Sequence, residues 1–132
     1  MPILNVMLGA TPSPETAARV ASTLVDLTAR ILRKKPEVTS VAVQFVDPNL
    51  WFVGGPSLAA QAKRTFFLDV RITDGTNTKE EKAAYLAEVF RSMGRLLGDL
   101  HEESYVHVHD VRADAYGFGG VTQEARFVRS QP

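Results

Sequence analysis

The chain has 132 residues, fifteen basic and fifteen acidic side chains, no cysteine and 45% hydrophobic content. That length suits one globular domain spanning 1–132. The even charge balance gives no global field toward nucleic acid or acidic membranes, and the lack of thiols excludes disulfides, thiolate metal sites and a cysteine nucleophile. No apolar run approaches a membrane span. The start lacks a basic n-region and an h-region, so no secretory leader is expected and a cytoplasmic location is.

The chain begins Met1-Pro2-Ile3-Leu4 and enters an apolar strand, Ile3 to Leu8. Initiator methionine is normally trimmed before a small residue, which would leave Pro2 as a free secondary amine. An α-amine titrates near about 8, against about 10.4 for lysine. Apolar burial and nearby cations would lower that value further. A base poised near the working pH is what proton transfer requires, and no histidine is needed. The plain alternative is that Pro2 merely starts a strand, where its missing N–H does no harm. With Met1 retained, the nitrogen would be a tertiary amide and no base.

After the turn-rich Gly9 to Ser13, Ser13 is placed to cap a helix with Pro14 at its first position. Ala17, Val20, Ala21, Leu24, Leu27 and Ile31 mark its apolar face. Arg30, Arg33, Lys34 and Lys35 crowd its end, where cations suit the helix dipole, and Pro36 stops it. A strand is expected from Val38 to Val46, with Val41, Val43 and Phe45 on one face. Asp47-Pro48-Asn49 reads as a turn. Trp51 and Phe52 then lie on a loop, as interface packing or as a lid over a neighbouring pocket.

The second half repeats this grammar. A strand, Thr65 to Ile72, precedes the turn Thr73 to Asn77, and Thr78 with Glu81 makes a capping box. Ala83, Leu86, Ala87, Phe90, Met93, Gly94 and Leu97 mark a helix face, with Gly98 just past the end. A last long strand runs from Ser104 to Val111. Thr11 matches Thr76 and Ser13 matches Thr78, each 65 positions apart. The chain therefore reads as an internal repeat, about 2–64 and 65–120. Two β-α-β units predict an α/β (α+β) fold, a four-stranded mixed sheet with both helices on one face. Val106 and Val108 suit the helix side, which leaves Tyr105, His107 and His109 on a face that water or another subunit must cover. The tail, Ala115 to Gly120, reads as flexible. Its Gly-x-Gly-Gly run does not join a strand to a helix, which argues against a phosphate loop.

MPIL at the start, KKPEVTSVAVQFVDPNLWFVGG in the middle and SYVHVHDVRADAYGFGG near the end resemble the tautomerase superfamily. That superfamily includes 4-oxalocrotonate tautomerase, 5-carboxymethyl-2-hydroxymuconate isomerase and macrophage migration inhibitory factor. The likeness covers nearly the whole chain. It implies a homotrimer with sites near subunit boundaries, needing no cofactor. Pro2 would be the catalytic proline. Lys35 or Lys34 would match the pocket lysine that holds a substrate carboxylate. Tyr105 would match a pocket tyrosine supplied by a neighbouring subunit. His107 falls where an asparagine is usual, and Thr39 near a usual aromatic position. The implied reaction is keto–enol or double-bond migration on a small 2-oxo or 2-hydroxy-dienoic acid. Pro2 would move the proton, Lys35 and Arg71 would clamp the carboxylate and Tyr105 would donate to the developing oxyanion.

Other readings stand beside this one. Hydratase or dehalogenase members use a protonated proline with paired arginines, and here Arg71 stands without a second. Asp114, Tyr116 and the GFGG tail resemble the malonate semialdehyde decarboxylase branch. A metal site on His107 and His109, with His101 and Asp110 nearby, lacks converging ligands, so no metal is expected. A trimeric binding or signalling protein with an idle proline is the non-enzymatic alternative.

Overall fold

A computed structural model describes residues 2–132. Met1, and its expected removal, lie outside the described residues. In chain order the elements are β1 (Ile3–Gly9), α1 (Pro14–Leu32), β2 (Ser40–Val46), a one-turn α2 (Leu58–Gln61), β3 (Thr65–Thr73), α3 (Lys79–Leu97) and β4 (Tyr105–Val111). A short hairpin of β5 (Gly117–Phe118) and β6 (Val121–Thr122) follows, then α4 (Gln123–Ser130).

The four long strands form one mixed sheet in the order β2-β1-β3-β4. β1 runs parallel to β2 and β3 parallel to β4, and the two units meet antiparallel along β1 and β3. Each β-α-β unit thus returns beside its own first strand. The long helices share one core with Leu4, Val6 and Leu8 of β1 and Phe66, Leu68, Val70 and Ile72 of β3. Val41, Val43, Phe45, Val106 and Val108 pack against that core from the outer strands. Burying each such side chain contributes about 1.5–3 kcal/mol.

Local capping sets the helix starts. Ser13 Oγ accepts from the Thr16 N–H at 3.2 Å, with Pro14 following. Thr78 Oγ1 accepts from the Glu81 N–H at 3.1 Å, while Glu81 accepts from the Thr78 N–H at 2.8 Å. Each such cap is worth about 1 kcal/mol. The Thr78 N–H bond also holds the Glu81 carboxyl below the usual range.

Four expectations need correction. The buried face of α3 is Tyr85, Val89, Ser92, Met93 and Leu97. Ala83, Leu86, Ala87 and Phe90 are exposed, with Leu86 and Phe90 each at 38%. The reason is a buried hydrogen bond, 2.9 Å, between the hydroxyls of Tyr85 and Thr28 across the helix pair. Paired in this way, the phenol tolerates burial, which pushes it up to about 12. Next, β2 begins at Ser40, because Pro36–Val38 forms a 3₁₀ turn first. Then β4 begins at Tyr105, one residue late, after Ser104 Oγ has turned back to the His101 carbonyl at 2.7 Å.

Finally, the tail is structured. Gly119 and Gly120 both hold positive φ, +61° and +79°, as a two-residue hairpin turn requires. A Cβ at Gly117 would lie 2.0 Å from the Val121 carbonyl oxygen, so only glycine fits where the two short strands close. Thr122 then caps α4, accepting from the Ala125 N–H at 3.0 Å. Among the described residues, no helix is long and apolar enough to cross a membrane.

Candidate active site

Pro2 is buried at the head of β1, a central strand. Its carbonyl accepts from the Ser40 N–H at 3.2 Å, which ties it to the start of β2. The parallel register sets Ile3 against Ser40, so the turn just before β2 lies beside Pro2. The result is a cavity of about 640 Å³ with Pro2 and Ile3 at one side, Glu37 to Ser40 at another, and Tyr116 to Phe118 of the tail closing the third.

Tyr116 fastens that tail. Its hydroxyl donates to the Arg71 carbonyl at 3.0 Å and faces the backbone of Ile3. Burial raises its pKa, and the Ile3 amide and the Arg71 charge partly oppose this. Glu37, Ser40 and Tyr116 were not singled out as pocket residues from the sequence. The signal for the first two was the β1–β2 register, which follows from a β-α-β unit once the strand ends are known.

The other expected site residues separate into three places. Lys34 and Lys35 line a second cavity, about 400 Å³, which shares Val38 and Phe118 with the Pro2 cavity. Lys34 Nζ donates to Thr76 Oγ1 at 2.8 Å. Burial pulls its ammonium below the ordinary lysine value, against the opposing pull of Glu81 and Asp110. Arg71 sits opposite Ile3 in the register, exposed on the open sheet face, with its guanidinium 3.7 Å from Asp69.

His107 lies on the same open face, next to Asp69 in register. Its ring stacks on His109, with centroids 5.3 Å apart. Asp69 Oδ1 beside them is buried and has no hydrogen-bond partner among the described residues. No three His, Asp or Glu side chains converge as a metal site among the described residues. His101 is held elsewhere: its Nδ1 accepts from the Glu103 N–H at 3.0 Å and its Nε2 faces Gln61 Oε1 at 3.2 Å.

Tyr105 occupies the other end of the sheet. It pairs in register with Phe67, which pairs with Met7. Met7 is four residues along β1 from Ile3, about 13 Å at the usual strand rise. There Tyr105 lines a larger cavity of about 920 Å³ with Met7, Phe67, Trp51 and Phe52. Its ring is 60% exposed, and its hydroxyl donates to Glu103 at 2.6 Å. One chain therefore does not bring Tyr105 or His107 to Pro2.

No protein-family model matches the chain, and no curated protein matches it. Solved structures do match. The chain is similar to a fused 4-OT asymmetric trimer, at 18% identity over 94% of this chain and 98% of that one, with a TM-score of 0.81. It is similar to a macrophage migration inhibitory factor-like protein from Entamoeba histolytica, at 14% identity over 92% and 97%, with a TM-score of 0.76. A member of the cis-3-chloroacrylic acid dehalogenase family matches at 17% identity over 98% and 92%, with a TM-score of 0.76. The chain has the tautomerase fold. At these identities the fold is what is shared, and it bears out the resemblance read from the three sequence segments at that level. The tautomerase fold here places a buried proline at the head of a central strand, lining a cavity of about 640 Å³.

Proposed function

We propose that this chain is a cofactor-independent tautomerase or isomerase of the tautomerase superfamily, acting on a small 2-oxo or 2-hydroxy-dienoic carboxylic acid. Pro2, freed by loss of Met1, is the general acid/base. The observation that carries this reading is the burial of Pro2 against a cavity of about 640 Å³ at the head of β1. Burial disfavours a charged amine, so the free nitrogen is poised as a base. It takes a proton from a substrate carbon or enol hydroxyl. That bond breaks, an N–H bond forms, and the electron pair spreads into a dienolate. The prolinium then gives the proton to a different atom and is restored. Lys34 and Lys35, whose cavity shares Val38 and Phe118 with that of Pro2, and Arg71, opposite Ile3 in register, bind the carboxylate. Tyr105 of a neighbouring subunit supplies the oxyanion donor. A homotrimer is part of this reading, supported by the trimeric fused 4-OT neighbour and by the exposed aromatic end of the sheet.

The decisive experiment is turnover of the enol of phenylpyruvate by protein whose intact mass shows Met1 removed. Wild type converts it and Pro2→Ala does not. Undiminished turnover in Pro2→Ala removes the enzymatic proposal and leaves a binding protein. Protein from its own cell that keeps Met1 removes the base.

A second reading has one observation in its favour. Glu37 lines the Pro2 cavity, and its carboxylate has no hydrogen bond or ion pair among the described residues. A carboxylate there favours the protonated proline, the form used in hydratase, dehalogenase or decarboxylase chemistry. The pH dependence of kcat/KM separates the two: a base gains activity as pH rises through the Pro2 pKa, and an acid loses it.

A further inference from the structure

We propose that His101 is a positioning residue: its neutral ring ties the 51–56 loop to the Glu103–Tyr105 pair, and taking up a proton releases both. Ring, loop and pair line one space, the cavity of about 920 Å³ at the Tyr105 end. The loop carries Trp51, whose ring is closely seated: a Cβ on Gly9 would come 3.1 Å from it.

The polarity of the link is fixed at every step. A backbone N–H can only donate, so the Glu103 amide, 3.0 Å from His101 Nδ1, requires that nitrogen to be bare. A neutral imidazole then carries its proton on Nε2, which donates to Gln61 Oε1 at 3.2 Å. With its oxygen so engaged, Gln61 turns its amide nitrogen to the loop. It donates to the Val53 carbonyl at 2.9 Å and to the Pro56 carbonyl at 3.1 Å. At the other end of the link, the Glu103 carboxylate accepts from the Tyr105 hydroxyl at 2.6 Å.

A proton on Nδ1 breaks this order. Two donors, Nδ1–H and the Glu103 N–H, would then face each other at 3.0 Å with no acceptor between them. The charged ring has a stronger partner in the Glu103 carboxylate, and turning to it gives up Gln61. The backbone need not follow. The His101 N–H donates to the Arg64 carbonyl at 2.7 Å, the Thr65 hydroxyl to the Glu103 carbonyl at 2.8 Å and the Ser104 hydroxyl to the His101 carbonyl at 2.7 Å. The ring is therefore the moving part. Few other charges bear on it. The 51–56 loop and α2 carry none, and β1 brings Met7 to the cavity. Lys63, Arg64 and Asp99 line a different cavity, and the Arg64 guanidinium donates to the Leu97 carbonyl. Glu102, the next residue, is exposed. Glu103 and Tyr105 are the titratable groups that share the ring's own cavity.

The consequence for turnover rests on the reading of Tyr105 as an oxyanion donor, whereas the link itself does not. A phenol has one proton, and while Glu103 accepts it none is left for an oxyanion. A charged His101 that draws the Glu103 carboxylate away frees that proton. Trp51 is the only tryptophan of the chain, so its emission reports on the loop. Between about pH 5 and 8 histidine is the side chain that ordinarily changes charge. Wild type is expected to show one red shift of Trp51 emission as pH falls through that range. His101→Asn keeps an acceptor near the Glu103 amide but cannot be charged, and it abolishes the shift. Gln61→Leu abolishes it as well, while the His101 ring still titrates by NMR. His107→Asn and His109→Asn keep the shift, and circular dichroism shows all four variants folded. A wild type that shows the shift yet does not convert the enol of phenylpyruvate keeps this link and loses the proline chemistry, so the two failures are told apart. The proposal is overturned by a wild type without the shift, or by a shift that survives in His101→Asn or disappears in His107→Asn.

Discussion

The two ends of the sheet are made by the same strands, yet they gather different side chains. At the Pro2 end the tail closes the cavity, and Lys34, Lys35 and Arg126 line the space beside it. At the Tyr105 end the cavity is larger, and Met7, Phe67, Trp51 and Phe52 line it together with Gln61, His101 and Glu103. Phe52 in its lining is 59% exposed, and Leu50, two residues earlier in the chain, is 70% exposed. An apolar rim of that kind is a surface that seeks cover. One end has a candidate base and cations without the tyrosine, and the other has the tyrosine without the base. The proposed site shared between copies of one chain would have to join these two ends.

The strongest way to break this comparison is at Pro2. Pro2→Ala is expected to lower kcat by about 10²–10⁴-fold, the range for losing a positioned acid/base, with folding intact by circular dichroism. Tyr105→Phe comes next, with a loss of about 10²-fold for a single oxyanion donor. The two inactive variants then sharpen the point together. Co-refolded at equal amounts, they are expected to recover about one quarter of wild-type activity, because about one site in four joins an intact Pro2 to an intact Tyr105 from a neighbour. No recovery would mean that the two ends do not meet across a boundary.

The legible parts of this fold were those written in local physics. Ser13-Pro14 and Thr78 with Glu81 announced the helix starts, and alternation along β2 and β4 separated their faces correctly. The buried face of α3 was not legible, because the helix carries two apolar stripes. Choosing between them turned on Tyr85 finding Thr28, a partner 57 residues away. The tail misled for the opposite reason. Its glycines read as freedom, yet two of them fix a turn and a third permits a close approach. Pro2 was legible as a candidate from its position. Its cavity was not, since Glu37 and Tyr116 reach it through strand register and a folded-back hairpin.

The smallest effects lie in the three tyrosines, which are all shifted upward for different reasons. Tyr85, in the core on α3, rises from 10.0 to about 12 by burial. Its folded pKa is raised, so its stabilisation is complete below about pH 10 and is lost as pH climbs toward 12. The loss is about 3 kcal/mol at most, visible as alkaline unfolding that Tyr85→Phe delays. Tyr116, at the Pro2 end, is raised by burial. Tyr105 is raised first by its hydrogen bond to Glu103 and then by that carboxylate's charge. Glu103→Gln should therefore bring the Tyr105 phenol back down in a titration of phenolate absorbance, while Tyr116 and Tyr85 stay where they are. If Tyr105 remains high in that variant, its shift comes from burial under a neighbouring chain, and the exposed end of the sheet is covered in solution.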